Sequence, residues 1–160
     1  MIGIIVATHG DFAKGLVQAC SMFAGDMECV CCLGLDPGKS IDSFREEMER
    51  EMDALDEGDG ILVLTDILGG SPFNCAFLLQ NERHVKVVTG VNLPMLMSAL
   101  EIRGSRSLEE VASECVACAK MCIRDRLIAD NSFLTERIVW LKSDEVLFRR
   151  CSSSSVRRSS

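Results

Sequence analysis

The chain has 160 residues, of which 48% are apolar, and it carries a net charge of −7 and nine cysteines. This length fits one domain with a tail, and the negative charge argues against a protein that binds nucleic acid by neutralising phosphates. No apolar run reaches the ~18 residues of a membrane span, and the N-terminus lacks the basic region and cleavage site of a signal peptide, so we expect a cytoplasmic protein.

The first predicted elements are a strand, a helix and a second strand. Residues 2–7 (IGIIVA) are continuously apolar and predict a buried strand. Asp11 is a candidate N-cap for a helix over residues 12–24, which Gly25 would close. Residues 28–33 (ECVCCL) predict the second strand.

A charged helix and a third strand follow an Asp-Pro-Gly turn. The helix is predicted over residues 41–55, with Ser40 as its N-cap. Residues 61–65 (ILVLT) form the third apolar run, and Asp66 follows it directly. A polar residue, Asp66, therefore follows the third predicted strand, just as His9 comes shortly after the first predicted strand.

The last predicted elements begin at Gly69-Gly70-Ser71-Pro72. Ser71 suits an N-cap and Pro72 the first position of a helix over residues 72–80. Residues 85–89 (VKVVT) predict a fourth strand. Two further helices are predicted over residues 93–102 and 107–121.

The alternation of strands with helices predicts an α/β fold. The strands are continuously apolar rather than alternating, which is typical of a parallel sheet covered on both faces. We therefore expect an open, doubly wound, mainly parallel sheet with helices on both faces. Ligands of such sheets bind beyond the carboxyl ends of the strands, at a switch point in the strand order.

His9 and Asp66 are the candidate catalytic residues because both follow strands at that edge. A carboxylate bonded to one ring nitrogen fixes the tautomer of a histidine and raises the basicity of the other nitrogen. A histidine oriented in this way is a good nucleophile or general base. The alternatives are a loop histidine without a role and a strand-end aspartate that caps a turn. His84, which starts the fourth predicted strand, is interpreted as structural.

The Gly-Gly-Ser-Pro helix start has two interpretations, a plain cap or an anion site. In the second, free N–H groups and the helix dipole face a phosphoryl group. The candidate phosphoryl-binding residues are Thr8 and Gly10 beside the histidine, and Gly69, Gly70 and Ser71 at the helix start. Neither GxxxxGK[ST] nor GxGxxG is present, which argues against a P-loop or dinucleotide site.

The nine cysteines are interpreted as reduced thiols, because their number is odd and no export signal is seen. Cys115, Cys118 and Cys122 share one helix face, and Cys29 and Cys31 share one strand face, so packing as small apolar residues explains both sets. Four ligands with the spacing of a zinc finger are not evident. We expect no metal site and no cofactor.

Three blocks of the sequence resemble the IIA domain of the mannose-family sugar phosphotransferase system (PTS). They are IIVATHGDFAKGL, GILVLTDILGGSPFNCA and VVTGVNLPML, and they lie in order within residues 1–120. The resemblance implies a cytosolic phosphocarrier with a phosphohistidine at His9, whose ring Asp66 holds. It also implies phosphoryl transfer from HPr to a IIB domain, which serves the IIC/IID membrane permease indirectly, and a homodimer around a mainly parallel sheet.

The chemistry expected from the residues agrees with this resemblance. With Asp66 on Nδ1, Nε2 of His9 would be the phosphorylated atom. The backbone amides near Gly70 and Ser71, with the Ser71 hydroxyl, could hold the phosphoryl oxygens. Transfer of this kind depends on positioning and charge stabilisation, and it requires no metal or nucleotide here.

The charge distribution and the motifs both change near residue 122. Residues 1–122 hold 9 Lys+Arg and 19 Asp+Glu, a net charge of −10, whereas residues 123–160 hold 8 and 5, a net charge of +3. We expect a IIA domain over residues 1–122 and a poorly ordered tail over residues 123–160. IRDRLIADNS resembles the active-site loop of a IIB domain faintly, but Ala129 stands where its histidine would be. MCIRDR also resembles translated sequencing adapter, so a non-native tail is an open alternative.

Two other functions stay open from the sequence. One is the phosphotransferase subunit that feeds dihydroxyacetone kinase, although GGSPFN and GVNLPM favour the sugar system. The other is a non-catalytic interaction module that regulates a transcription factor. Phosphoryl labelling separates a phosphocarrier from such a module, and the transported sugar cannot be inferred from the residues.

Overall fold

The computed structural model describes residues 1–121, which form four strands and five helices. The strands are β1 (Gly3–His9), β2 (Val30–Leu35), β3 (Ile61–Thr65) and β4 (Val85–Thr89). The helices are α1 (Phe12–Ala24), α2 (Ile41–Leu55), α3 (Ser71–Leu79), α4 (Leu93–Ile102) and α5 (Leu108–Met121). The predictions for residues 123–160, together with Cys122, lie outside the described residues.

The four strands form one parallel sheet in the order β2-β1-β3-β4. The doubly wound α/β fold predicted from the sequence is confirmed. Strand order reverses at β1, which pairs with β2 on one side and with β3 on the other. The carboxyl ends of β1 and β3 therefore mark the switch point where such sheets bind ligands.

Both faces of the sheet are buried, which explains the continuous apolar runs. In β1, Ile4 and Val6 pack into a core cluster with α1, α4 and α5, whereas Ile5 and Ala7 pack into a second cluster with α2 and α3. All four side chains are fully buried. Alternate residues of a strand point to opposite faces, so each strand supplies both cores.

The first two strands begin and end differently from their predictions. β1 runs through Thr8 to His9, because β2 continues to pair with it as far as Leu35. β2 begins only at Val30, since Cys29 adopts a left-handed conformation with φ of 50°. The prediction that Cys29 and Cys31 share a strand face is therefore wrong.

The helix starts show one confirmed cap and two corrections. The Ser40 hydroxyl accepts a hydrogen bond from the Ser43 N–H at 3.0 Å, as predicted. Asp11 occupies the N-cap position of α1, but its side chain makes no capping bond. Instead the buried Thr8 hydroxyl accepts from the Ala13 N–H at 2.8 Å. At α3 the N-cap is Gly70, and Ser71 is already helical, so the prediction of Ser71 as the cap is wrong.

Arg103 joins the end of α4 to the amino ends of β1 and β2. Its guanidinium donates to the backbone carbonyls of Glu28 at 2.6 Å and Cys29 at 3.2 Å, and only 7% of the residue is exposed. Burial lowers the pKa of this guanidinium. Unpaired buried carbonyls are costly, so this one side chain stabilises the turn that places β2.

Six cysteines in the part of the chain that the structure describes are free thiols: Cys20, Cys29, Cys31, Cys32, Cys75 and Cys115. Burial raises the pKa of Cys115 to about 12, and chiefly burial raises that of Cys31 to about 12 as well. Thiols with such pKa values remain protonated at neutral pH and are poor nucleophiles. Their placement in the cores fits the interpretation of packing as small apolar residues.

Candidate functional site

The site is built on the ends of β1 and β3. His9 is the last residue of β1, and Asp66 follows β3 directly. β1 pairs with β3 only as far as Ala7, so the backbone of His9 extends past the end of its neighbour. The Asp66 carboxylate occupies the position next to it and satisfies the His9 backbone.

One oxygen of Asp66 holds both the ring and the backbone of His9. Oδ2 lies 2.9 Å from His9 Nδ1 and accepts the His9 backbone N–H at 3.0 Å. Oδ1 accepts the Ile67 N–H at 2.9 Å. Since the carboxylate accepts, the neutral imidazole carries its proton on Nδ1 in this pair and has its lone pair on Nε2. The His9 side chain is 46% exposed, which leaves the ring accessible.

The environment of Asp66 keeps it ionised. Partial burial opposes ionisation, but the backbone and ring N–H groups of His9 and the backbone N–H of Ile67 outweigh burial and hold the pKa of the carboxyl below its usual range. The negative charge is therefore fixed beside Nδ1 at neutral pH. A fixed anion at that position favours any state in which the ring becomes cationic.

Gly70 packs against Cε1 of the imidazole, the carbon between the two ring nitrogens. A Cβ at this position would lie 2.8 Å from His9 Cε1 and 2.8 Å from Ile67 Cγ2, well inside van der Waals contact. Its backbone has φ of −68° and ψ of 164°, a conformation open to any residue. Glycine is therefore required here by the space that the ring occupies rather than by backbone conformation.

We expect Gly70→Ala to displace the His9 ring without unfolding the protein. The added methyl must displace the ring from its present position, which disturbs the contact with Asp66 Oδ2 that orients it. The expected result is a loss of at least about tenfold in the rate of the phosphorylation that the sequence predicts at His9, because small misplacements of reacting groups are costly. Circular dichroism melting and single-turnover labelling measure the two effects.

Gly15→Ala is the matched control for that substitution. Gly15 lies inside α1 and nothing surrounds its missing Cβ within 4 Å, so alanine should increase helix stability by up to ~1 kcal/mol and leave labelling unchanged. Labelling of Gly70→Ala at the parent rate would contradict the assignment of this contact.

The first turn of α3 presents free donors beside the ring. Ser71 makes no hydrogen bond through its backbone N–H or its hydroxyl to any other part of residues 1–121. The Gly70 N–H donates to the Ile67 carbonyl at 3.3 Å, and Pro72 has no N–H. Of the predicted amides near Gly70 and Ser71, that of Ser71 is therefore the available one. Gly69, with φ of 77°, supplies the turn before the helix.

Thr8 and Gly10 have their polar groups engaged elsewhere. The Thr8 hydroxyl is fully buried and supports the start of α1. The Gly10 N–H donates to the Leu35 carbonyl at 2.9 Å, and a φ of 54° turns the chain out of β1. The Gly10 carbonyl leaves no room for a Cβ at Gly34, which would lie 2.6 Å from it. Both residues therefore shape the loop that carries His9.

Sequence reasoning missed Gly34 and the apolar side chains around the site. Phe12, at the start of α1, and Ile67 and Leu68, in the loop after Asp66, are 47%, 58% and 71% exposed. The signal available in the sequence was the Ile-Leu pair in a polar loop, directly after Asp66 and before two glycines. Exposed apolar residues around a reactive group are typical of a protein-binding surface.

His84 lies at the other end of the sheet. Its carbonyl accepts the Ile61 N–H at 3.0 Å, where β3 begins, and its ring packs against Gly60. Within residues 1–121, no group of three or more His, Cys, Asp or Glu side chains could hold a metal ion. No helix among these residues is long and apolar enough to cross a membrane.

Comparison with known proteins finds similarity to sugar phosphotransferase components. The family model described as PTS system fructose IIA component matches residues 3–116. The PTS system mannose-specific EIIAB component of Escherichia coli K12 is 36% identical over 103 residues, which are 64% of this chain and 32% of that protein. The PTS system fructose-specific EIIA component of Bacillus subtilis 168 is 29% identical over 75% of this chain and 83% of that protein.

Solved structures of PTS IIA proteins are similar to this chain in fold. The crystal structure of phosphotransferase system component EIIA from Streptococcus agalactiae superposes with a TM-score of 0.73. The two sequences are 33% identical, and the match covers 78% of this chain and 97% of that one. The IIA protein associated with the fucose utilization operon of Streptococcus pneumoniae has a TM-score of 0.66 and 36% identity, over 77% and 91% of the two chains.

Proposed function

Because this chain belongs to the family of PTS system fructose IIA components, we propose that it is a phosphocarrier that accepts a phosphoryl group from phospho-HPr on Nε2 of His9 and passes it to a IIB domain for sugar uptake. The observation that carries this proposal is the 2.9 Å contact between His9 Nδ1 and Asp66 Oδ2. That contact favours the neutral tautomer with the lone pair on Nε2, on an exposed ring.

The proposed transfer is an in-line displacement at phosphorus. The lone pair of His9 Nε2 forms the new N–P bond, while the electron pair of the breaking N–P bond returns to the histidine nitrogen of the donor. The phosphorylated imidazole keeps its Nδ1–H and becomes cationic, and the adjacent Asp66 carboxylate stabilises that charge. Transfer to a IIB domain is the same step in the opposite direction.

The start of α3 supplies the proposed site for the phosphoryl oxygens. The Ser71 N–H and hydroxyl are free donors, and the first turn of α3 contains no acidic residue that would oppose an anion. The partial positive charge of a helix N-terminus adds to their effect. Asp66 and Ser71 would thus stabilise opposite charges on the two parts of one phosphohistidine.

The remaining features of the proposal concern partners and location. HPr is the donor, a IIB domain is the acceptor, and a IIC/IID permease receives the phosphoryl flow indirectly. We propose a cytoplasmic homodimer, as the family resemblance implies. The match spans about a third of the mannose-specific EIIAB relative of E. coli, so activities of that whole protein come to this chain only as proposals.

Labelling tests the proposed function directly. The protein is incubated with radiolabelled phosphoenolpyruvate, enzyme I and HPr, and an acid-labile, base-stable phosphate is expected on it. Omission of HPr should abolish the label. A non-catalytic regulator would stay unlabelled with all components present, so that result would reject the phosphocarrier.

Truncation after Lys120 tests the proposed domain boundary. Both described core clusters use residues no later than Ala119, so we expect the shortened protein to be a soluble dimer with an unchanged melting profile. Calorimetry and light scattering of the two lengths provide the comparison. Aggregation, or a melting temperature many degrees lower, would show that the domain extends past this boundary.

A further inference from the structure

A pocket of about 220 Å³ opens next to the loop that follows His9. It lies toward β2, whereas Asp66 follows β3 on the other side of β1. Gly10 and the first turn of α1 form one wall, and the end of β2 with the following turn forms another. Its charged lining residues are Asp11, Lys14, Asp36, Lys39 and Glu47. Neither the sequence motifs nor the proposed mechanism assigns a role to this pocket.

The pocket contains one cation whose charge is not compensated. Lys39 forms an ion pair with Glu47 and lies over the Phe44 ring, so its charge is already used. Lys14 is exposed and forms no ion pair with a carboxylate of residues 1–121. Three other cations of this part of the chain, Arg50, Arg103 and Lys120, also form no such ion pair, but none of them lines the pocket.

The domain is strongly negative, so an unpaired lysine near His9 changes the local electrostatic potential for an incoming anion. Residues 1–122 carry a net charge of −10, and a phosphoryl group brings a further charge of about −1.5 to −2. Long-range repulsion therefore opposes the approach of a phosphorylated donor. Without Lys14, the uncompensated charges of the pocket wall would be Asp11 and Asp36, both negative.

We propose that Lys14 attracts the phosphoryl group of the incoming donor toward His9 and so lowers the KM for the phosphorylated donor. This inference rests on the proposed function of His9. Lys14 acts in the encounter, as a positioning residue, whereas Asp66 and Ser71 act on the reacting group. Lys14 should therefore leave the maximal rate of transfer almost unchanged.

The test is the rate of phosphoryl transfer to Lys14→Gln at low and high salt. At low salt we expect kcat/KM with phospho-HPr to fall about three- to tenfold, almost entirely through KM, since a local charge mainly changes association. At 1 M salt, where the Debye length is about 3 Å, the difference should nearly vanish. Lys14→Arg should restore the parent value because it keeps the charge.

Arg106→Gln is the matched control. It removes the same charge at the α4–α5 turn, at the opposite end of the sheet, and disrupts only an exposed pair with Glu110. We expect it to leave kcat/KM within about twofold of the parent. An equal loss in both variants would mean that only the net charge matters, and an unchanged KM in Lys14→Gln would equally overturn the role of Lys14.

A small donor separates this inference from the proposed function. Phosphoramidate carries an anionic phosphoryl group but has no protein surface, and it should phosphorylate His9 of Lys14→Gln more slowly than His9 of the parent at low salt. Equal rates would show that Lys14 does not attract the phosphoryl group and would overturn the proposal. If phospho-HPr failed to label the parent while phosphoramidate succeeded, the proposed donor would be wrong, and the phosphoramidate rates would still decide the role of Lys14.

Discussion

His9→Ala is expected to remove all phosphoryl label from the protein. The substitution deletes the histidine that the structure places at the β1/β3 switch point with a carboxylate on its ring, and no second histidine of residues 1–121 lies there. The Ser71 hydroxyl should not replace it, because an unactivated hydroxyl is a weak nucleophile. Phosphorylation from phospho-HPr, followed by mass spectrometry under basic conditions, measures the result.

His84→Ala is the control for this substitution. His84 lies at the amino end of the sheet and Asp66 at the carboxyl end, so removal of the His84 ring should leave labelling within about twofold of the parent. Each variant should also melt near the parent temperature, since both side chains are exposed. Equal labelling of His9→Ala and the parent would reject His9 as the phosphorylated residue.

The fold could be predicted from the sequence because its elements have strong local signals. Ile4, Ile5 and Val6 cannot all be buried on one face of a strand, so their succession already indicated a sheet with two covered faces. Glycine after α1 and serine before α2 ended and began those helices as expected. The resemblance of three motif blocks then placed these elements in a known family.

Contacts between distant residues could not be predicted in this way. Arg103 binds carbonyls about 75 residues earlier in the chain, and a lone arginine at a helix end carries no sign of that in the sequence. The Thr8 hydroxyl caps α1 from inside the preceding strand, where cap rules based on the adjacent residue do not apply. Such contacts depend on the tertiary structure, which brings together residues that are distant in the sequence.

The candidate site also has features that could be predicted from the sequence and features that could not. The pairing of His9 with Asp66 followed from one topological rule, that parallel strands end at a common edge. The close packing of Gly70 on the His9 ring did not follow, because a glycine before a helix has a sufficient explanation as a cap. The two functions of that glycine, in capping and in leaving space for the ring, become distinct only in three dimensions.

Asp66→Asn is expected to slow phosphoryl transfer to His9 by about 10²-fold or more. The amide keeps the shape of the side chain but removes the charge that stabilises a cationic phosphorylated ring, and its NH₂ group can donate to Nδ1 and favour the wrong tautomer. Loss of an orienting carboxylate costs about 10⁴-fold in a serine-protease triad. A smaller effect is expected here, because the start of α3 and the positioning of the donor remain.

Two quantities are measured for Asp66→Asn, the rate of phosphoryl transfer and the tautomer of the His9 ring. Single-turnover transfer from phospho-HPr gives the rate, and the ¹⁵N shifts of the His9 ring report whether the proton lies on Nδ1 or Nε2. Asp26→Asn removes an equal charge from an exposed loop and should change neither quantity. A transfer rate for Asp66→Asn within about threefold of the parent, with the proton still on Nδ1, would show that Asp66 only caps the end of β3. The 2.9 Å contact would then be a structural hydrogen bond, and the activation of Nε2 would need another source.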